Sequence, residues 1–173
     1  GEEWVAAGPQ KYVPNAVAFG GTSESLSRGA DLTGISDCKQ WTGSMWFRRS
    51  SDTGADELIY DTPGLAHYIS IQGSDDRLRI FGRNSGSTGI LSIVSTTAFT
   101  DTNWHHAMWS VDLTDTSRRH LYIDGVDELN VSTYTDDILA NTATNHFIGQ
   151  NNNGTDFFDG DMSDVWMEFC EFC

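Results

Sequence analysis

The sequence predicts an all-β domain in which two antiparallel sheets face each other over one core. Three observations carry this. Short β-rich runs alternate with clusters of Gly, Ser, Asn and Asp along the 173 residues, the rhythm of a sandwich or barrel. Amphipathic helical stretches are almost absent. Trp104–Asp112, His120–Ile123 and Val126–Thr133 read as successive strands, and Asp124-Gly125 between the last two supplies the positive-φ pair of a type I′ hairpin turn.

In chain order, residues 1–14 carry Pro9 and Pro14 with little periodicity and read as an N-terminal arm or linker; residues 15–173 read as the domain. Ala16–Gly20 and Ser25–Arg28 are short strands around a Gly-Gly-Thr turn. Gly29–Gln40 is a loop with room for one helical turn after Asp31. Trp41–Ser50 alternates strongly and is a long strand. Glu57–Asp61, His67–Gln72, Arg77–Gly82 and Ile90–Ser95 follow, separated by Pro63-Gly64, Gly73–Asp76 and Arg83–Gly89. Trp104–Asp112 is apolar on both faces, which predicts a strand in the middle of a sheet, covered on both sides. Asn145–Gly149, Phe157–Asp161 and Asp164–Phe172 complete about a dozen strands, enough for two facing sheets.

Composition narrows the partners. Six Trp, nine Phe and five Tyr can fill a single core, and the net charge is −15. That field repels phosphate backbones and anionic membrane surfaces, so nucleic acid is not an expected partner. No apolar run approaches the roughly 18 residues of a spanning helix, so membrane insertion is not expected either. Gly1-Glu2-Glu3 looks like a processed start or part of something longer. Three cysteines, Cys38, Cys170 and Cys173, read as free thiols or one incidental pair; no second pair exists for a four-thiolate zinc site.

Five short motifs stand in a particular order: Trp46-Phe47, then Trp104-His105-His106-Ala107, then Leu121-Tyr122-Ile123-Asp124-Gly125, then Phe147-Ile148-Gly149, then Phe158-Asp159-Gly160-Asp161-Met162-Ser163-Asp164-Val165. Together they resemble the concanavalin A-like, laminin-G-like jelly rolls over roughly residues 15–170. The resemblance implies a two-sheet jelly-roll sandwich. Residues 18–34, with Thr97–Thr100, also resemble modules of this family in tailed-bacteriophage virion proteins. This implies a place on a virion surface, as a fibre, decoration or adhesin module.

Relatives of this fold that hydrolyse glycosides carry a Glu-x-Asp-x-x-Glu arrangement on one strand. Here Asp164, Trp166 and Glu168 share a parity, but no Glu precedes Asp164 by two residues. Glu57 and Asp61 also share a parity and read as edge-strand surface charges. His105 and His106 are adjacent, so they point to opposite faces and cannot chelate one metal; one of them is expected to be a packed, hydrogen-bonded histidine. The chain is therefore expected not to be an enzyme.

Binding chemistry is richer. The loop Gln150–Asp156 offers many oxygens, which suit either calcium or ordinary turn formation. In the family it resembles, the Asp at the position of Asp164 often helps hold a structural calcium with carbonyls of the N-terminal strand. Sugar recognition needs stacking aromatics with polar neighbours, for which Trp41, Trp46, Tyr60, Tyr68, Trp109 and Trp166 qualify by type. Two readings follow. A glycan-binding or surface-ligand module would use loops such as Ser51–Asp56, Arg83–Gly89 and Asn151–Asp156, with Asp52, Asp56, Asn151, Asn152 and Asp156 as contacts and Ca²⁺ at Asp164. A structural virion protein would instead contact other virion proteins, or further copies of itself, through the N-terminal arm and the sheet edges, with Trp4 and Tyr12 as anchors.

Overall fold

The computed structural model describes residues 15–170. It is a two-sheet antiparallel sandwich. One sheet has six strands in the order β1 (Val17–Gly20), β13 (Asp159–Phe169), β3 (Gln40–Arg49), β8 (His105–Asp112), β9 (His120–Ile123) and β10 (Val126–Asp127). The other has seven, in the order β11 (Val131–Tyr134), β7 (Gly89–Ala98), β6 (Arg77–Arg83), β5 (His67–Ile71), β4 (Glu57–Asp61), β12 (Phe147–Ile148) and β2 (Leu26–Ser27).

Strict alternation builds the core. In β3, Trp41, Met45 and Phe47 point inward and are fully buried, while Thr42, Ser44, Trp46 and Arg48 point outward. Trp109 and Val111 of β8 and Leu121 of β9 continue the inner layer, and Ile69, Ile71, Leu78, Ile80, Leu91 and Ile93 close it from the seven-stranded side. Aromatic edges interlock: Trp41 meets Trp109 edge-on at 5.9 Å and Phe47 meets Phe99 at 5.0 Å. The hairpin turn forms as expected, with Asp124 at φ 53° and Gly125 at φ 80°.

One ion cluster lies inside this apolar layer. The Arg49 guanidinium is 1 % exposed and donates to Glu57 (2.6 Å), Asp76 (2.8 Å) and the Phe99 carbonyl (2.8 Å). Burial works against its charge, but the hydrogen bonds and fields of Glu57 and Asp76 outweigh that and raise its pKa.

Several expectations are corrected. Glu57 and Asp61 are not surface charges of an edge strand: both are buried, and β4 lies between β5 and β12. They do not share a face either. A bulge between Leu58 and Tyr60 shifts the register, so Glu57 faces Arg49 inside while Asp61 sits beside Tyr68 on the outer side. Val126–Thr133 is two strands in different sheets, because Glu128 turns inward between them and takes hydrogen bonds from Thr96 and Thr97. Phe157–Asp161 and Asp164–Phe172 are not two strands; one long β13 runs through a bulge between Ser163 and Trp166. The segment after Asp31 makes a turn, with Ile35 N–H donating to the Leu32 carbonyl, and no helix. β8 is interior to its sheet, yet its outer face is open: Met108 is 44 % exposed.

Cys170 pairs with Cys38 across 132 residues, Cα–Cα 5.4 Å, joining the end of β13 to the loop before β3. Trp4, Tyr12 and Cys173 lie outside the described residues. Among the described residues no helix is long and apolar enough to cross a membrane.

Candidate functional site

The site grows from the outer face of the seven-stranded sheet. Antiparallel register places Asp61, Tyr68, Phe81 and Ser92 in one row across β4, β5, β6 and β7. The next row holds Leu58, Ser70 and Arg79. Tyr68 and Phe81 stack at 4.8 Å and 21°. Above them lies the Arg79 guanidinium, 4.7 Å from the Phe81 ring and 5.7 Å from Tyr68, held by a hydrogen bond to Ser92 Oγ (3.2 Å). Arg83 sits 5.5 Å over the same Phe81 ring and donates to the Gly64 carbonyl (3.1 Å). Neither arginine has a carboxylate partner within 4 Å among the described residues, in a chain with 25 acidic side chains and ten Lys plus Arg.

Two loops close over this platform. Asp56 and Asp156 join Leu58, Tyr68, Ser70, Gln72 and Arg79 around a depression of about 100 Å³. Asp56 is fixed by the Gly73 N–H (2.8 Å). Asp156 adopts φ 50°, and its carbonyl accepts the Leu58 N–H (2.9 Å), which pins the loop to β4.

Asn151 builds that loop from within. Its Oδ1 accepts the N–H groups of Asn153 and Thr155 (2.9 Å each), while its Nδ2 donates to Thr155 Oγ1 (2.7 Å) and Asp156 Oδ2 (2.5 Å). Asn151 is buried and its side-chain amide is engaged within the loop, where it positions Asp156. Asn152 donates its backbone N–H to Asp61 Oδ2 (2.7 Å), a second anchor. Asp52 is exposed at the neighbouring loop, accepting from Gly54 N–H (2.9 Å) and Arg49 (3.4 Å). The structure thus brings Asp56 and Asp156 to one depression, with Asn151 and Asn152 beneath it and Asp52 beside the Arg49 cluster.

Asp61 is the least ordinary group here. It is fully buried, and its Oδ1 has no hydrogen-bond partner among the described residues. Burial pushes its pKa up to about 7, against the N–H groups of Asn152 and Thr62. An acid whose folded pKa lies above its unfolded value of about 3.9 binds more protons in the folded state. Its contribution to stability is full at low pH and is lost as pH rises through about 7. Asp61→Asn is therefore expected to flatten part of the fall in stability between about pH 4 and pH 7 and to leave the domain more stable than wild type above that window. Urea unfolding of both proteins across the range reads the difference; a pH-independent offset would show that Asp61 does not titrate there.

Of the six candidate stacking aromatics, Trp41, Tyr60 and Trp109 are buried core residues, Tyr68 belongs to this site, and Trp46 and Trp166 lie on the opposite outer face. Arg79 and Phe81 were not among the sequence candidates; Arg83 opens the candidate loop Arg83–Gly89. A signal for them exists: Arg77-Leu78-Arg79-Ile80-Phe81-Gly82-Arg83 alternates, with three of the ten basic residues and one ring on a single face.

His105 is the packed, hydrogen-bonded histidine, held by Asp124 (2.7 Å) and Asp101 (3.0 Å), while His106 faces outward against Trp46. Asp164 sits at the β13 bulge with φ 51°, beside Asn15 and Val17 where β1 begins. Among the described residues no three His, Cys, Asp or Glu side chains gather to hold a metal. A calcium at Asp164 would therefore depend on carbonyl oxygens.

A sandwich of this topology, with an aromatic and polar platform on one outer face, defines a class of lectin-like β-sandwich domains. A family model described as the Concanavalin A-like lectin/glucanases superfamily matches residues 20–168, and the chain belongs to that family. No curated protein matches it in sequence. Three solved structures share the fold. A native heptameric SAP-like pentraxin from Limulus polyphemus is 15 % identical, with a TM-score of 0.63, over 88 % of this chain and 74 % of that one. Domains LG4-5 of the mouse laminin alpha1 chain are 15 % identical, TM-score 0.60, over 96 % and 45 %. A Bacteroides ovatus protein to which carbohydrate binding is attributed is 16 % identical, TM-score 0.64, over 90 % and 43 %. The chain thus spans less than half the length of the laminin and Bacteroides chains.

Proposed function

We propose that this domain is a non-catalytic glycan-binding module whose site is the Tyr68–Phe81–Arg79 platform with Asp56 and Asp156 at its edge. The observation that carries the reading is the pair of arginines, without ion-pair partners among the described residues, laid over stacked rings. Tyr68, the half-buried ring that lines the depression, offers an apolar surface to the C–H face of a sugar, with the buried Phe81 stacked beside it, and the carboxylates accept hydroxyls. A guanidinium adds paired donors for a uronate or sulfate group. Family membership and the carbohydrate binding attributed to the Bacteroides protein support the same class of ligand. The absence of catalysis is supported by the separation of Glu57, tied to Arg49 in the core, from Asp61 on the outer side.

The Cys38–Cys170 bridge suits an oxidising exterior. A place on a virion surface rests on the resemblance of residues 18–34 and belongs to this proposal in the same way. Calcium enters only as a structural ion at Asp164; melting with calcium against EDTA tests it, a calcium-dependent rise supporting it and no shift at millimolar calcium removing it.

The test is a glycan array followed by calorimetry. Wild type is expected to bind a glycan carrying an acidic group, and Arg79→Ala to bind it at least about tenfold more weakly, since hydrogen bonds to charged groups contribute roughly 1.5–3 kcal/mol. Equal affinity of wild type and variant would remove the platform from the account.

A further inference from the structure

We infer that the outer face of the six-stranded sheet is a second carbohydrate-binding surface, one that takes an extended neutral polysaccharide. It is separated from the first by the whole thickness of the sandwich.

The face is assembled by register alone. Trp166 of β13, Ser44 of β3, Met108 of β8 and Tyr122 of β9 stand opposite one another in a single row across four strands. Strands lie about 4.8 Å apart, so the row spans roughly 14 Å. One step along, Trp46 of β3 faces His106 of β8, their rings 4.8 Å apart. Trp166 is 49 % exposed and Met108 44 %. This is why β8 is apolar on both faces although only one is covered.

The charge pattern selects the ligand. The chain carries −15, yet no carboxylate stands between Trp166 and Tyr122 in the one row or between Trp46 and His106 in the other. The acids lie around them. Asp127 ends the Trp166 row beyond Tyr122, and Glu168 and the Arg48-paired Asp161 occupy flanking rows. A second copy of the chain would bring two such rims together, because an isologous contact opposes a patch to itself, and the net charge adds to that repulsion. An acidic polysaccharide meets the same field. A neutral sugar chain does not: its C–H faces lie on the rings, while Ser44 and the rim carboxylates meet its hydroxyls. The Arg79 platform, with its cations, is suited to acidic glycans, so the two faces divide ligands by charge.

Affinity gel electrophoresis tests this, with soluble xyloglucan, dextran and hydroxyethyl cellulose as neutral probes and alginate as the acidic one. Wild type is expected to be retarded by at least one neutral polymer. Trp166→Ala and Met108→Glu, both at exposed positions, are expected to lose about tenfold in that affinity, with Arg79→Ala unchanged. Alginate retardation should follow Arg79→Ala and ignore Trp166→Ala, which keeps failure of one face distinguishable from failure of the other. No retardation by any neutral polymer overturns the inference, as does a Trp166→Ala variant within twofold of wild type. Sedimentation of wild type as a dimer that Met108→Glu dissociates also overturns it, assigning the face to self-association.

Discussion

Glu57→Ala is expected to destabilise the domain by about 3–5 kcal/mol, the usual cost of leaving one partner of a buried ion pair behind. Arg49 would remain 1 % exposed with its 2.6 Å partner gone and only Asp76 and the more distant, half-exposed Asp52 to hold its charge. For a domain of this size that corresponds to a fall in Tm of roughly 10 °C. The loss is one of uncompensated charge, so Arg49→Leu with Glu57→Leu should recover much of it, because a buried pair replaced by apolar residues of similar volume is often neutral. Asp76 and the Phe99 carbonyl lose their donor in that double variant, which limits the recovery. Thermal unfolding of the three proteins decides it: a single variant within 1 °C of wild type would mean that the cluster is solvated.

Cys38→Ser is expected to lower stability by about 2–5 kcal/mol, in the range found when a bridge closing a long loop is removed. The bridge spans 132 residues and ties the loop before β3 to the last strand of the six-stranded sheet. Its loss acts mainly on the unfolded chain, so the folded site should survive where the protein remains folded. The melting curve of reduced wild type should then converge on that of Cys38→Ser, with oxidised wild type melting higher. A variant that melts like oxidised wild type would show that the bridge contributes nothing.

Much of the fold is legible in the sequence because strand alternation is a local property. Gln40–Arg49 and Glu57–Asp61 can be placed by it within a residue, and Asp124-Gly125 marks its own turn. What is not legible depends on partners distant in the chain. The bulge between Leu58 and Tyr60 leaves no local sign, yet it sends Glu57 inward and Asp61 outward. Glu128 reads as a solvent residue until Thr96 and Thr97 are seen to receive it, and that inward turn splits one expected strand between two sheets. The pairing of Cys38 with Cys170 likewise depends on where β13 ends.

The candidate site divides along the same line. The oxygen-rich loops could be read from composition, and the structure brings Asp56 and Asp156 of those loops to one depression. The side chains that surround the depression could not. Tyr68, Arg79 and Phe81 become a platform only through the register of β5 against β6, set by pairings along both strands. Asn151 shows the converse: its type suggests a ligand contact, but a buried amide with four internal hydrogen bonds is turn architecture.

The proposed function places a glycan on the outer face of the seven-stranded sheet. Backbone amide chemical shifts, followed while the best glycan from the array is titrated into isotope-labelled protein, test it most directly. The expected result is a set of saturable shifts concentrated in β4, β5, β6 and residues 152–156, abolished in Arg79→Ala. Shifts confined to other parts of the sandwich, or the same shifts persisting in Arg79→Ala, would contradict it.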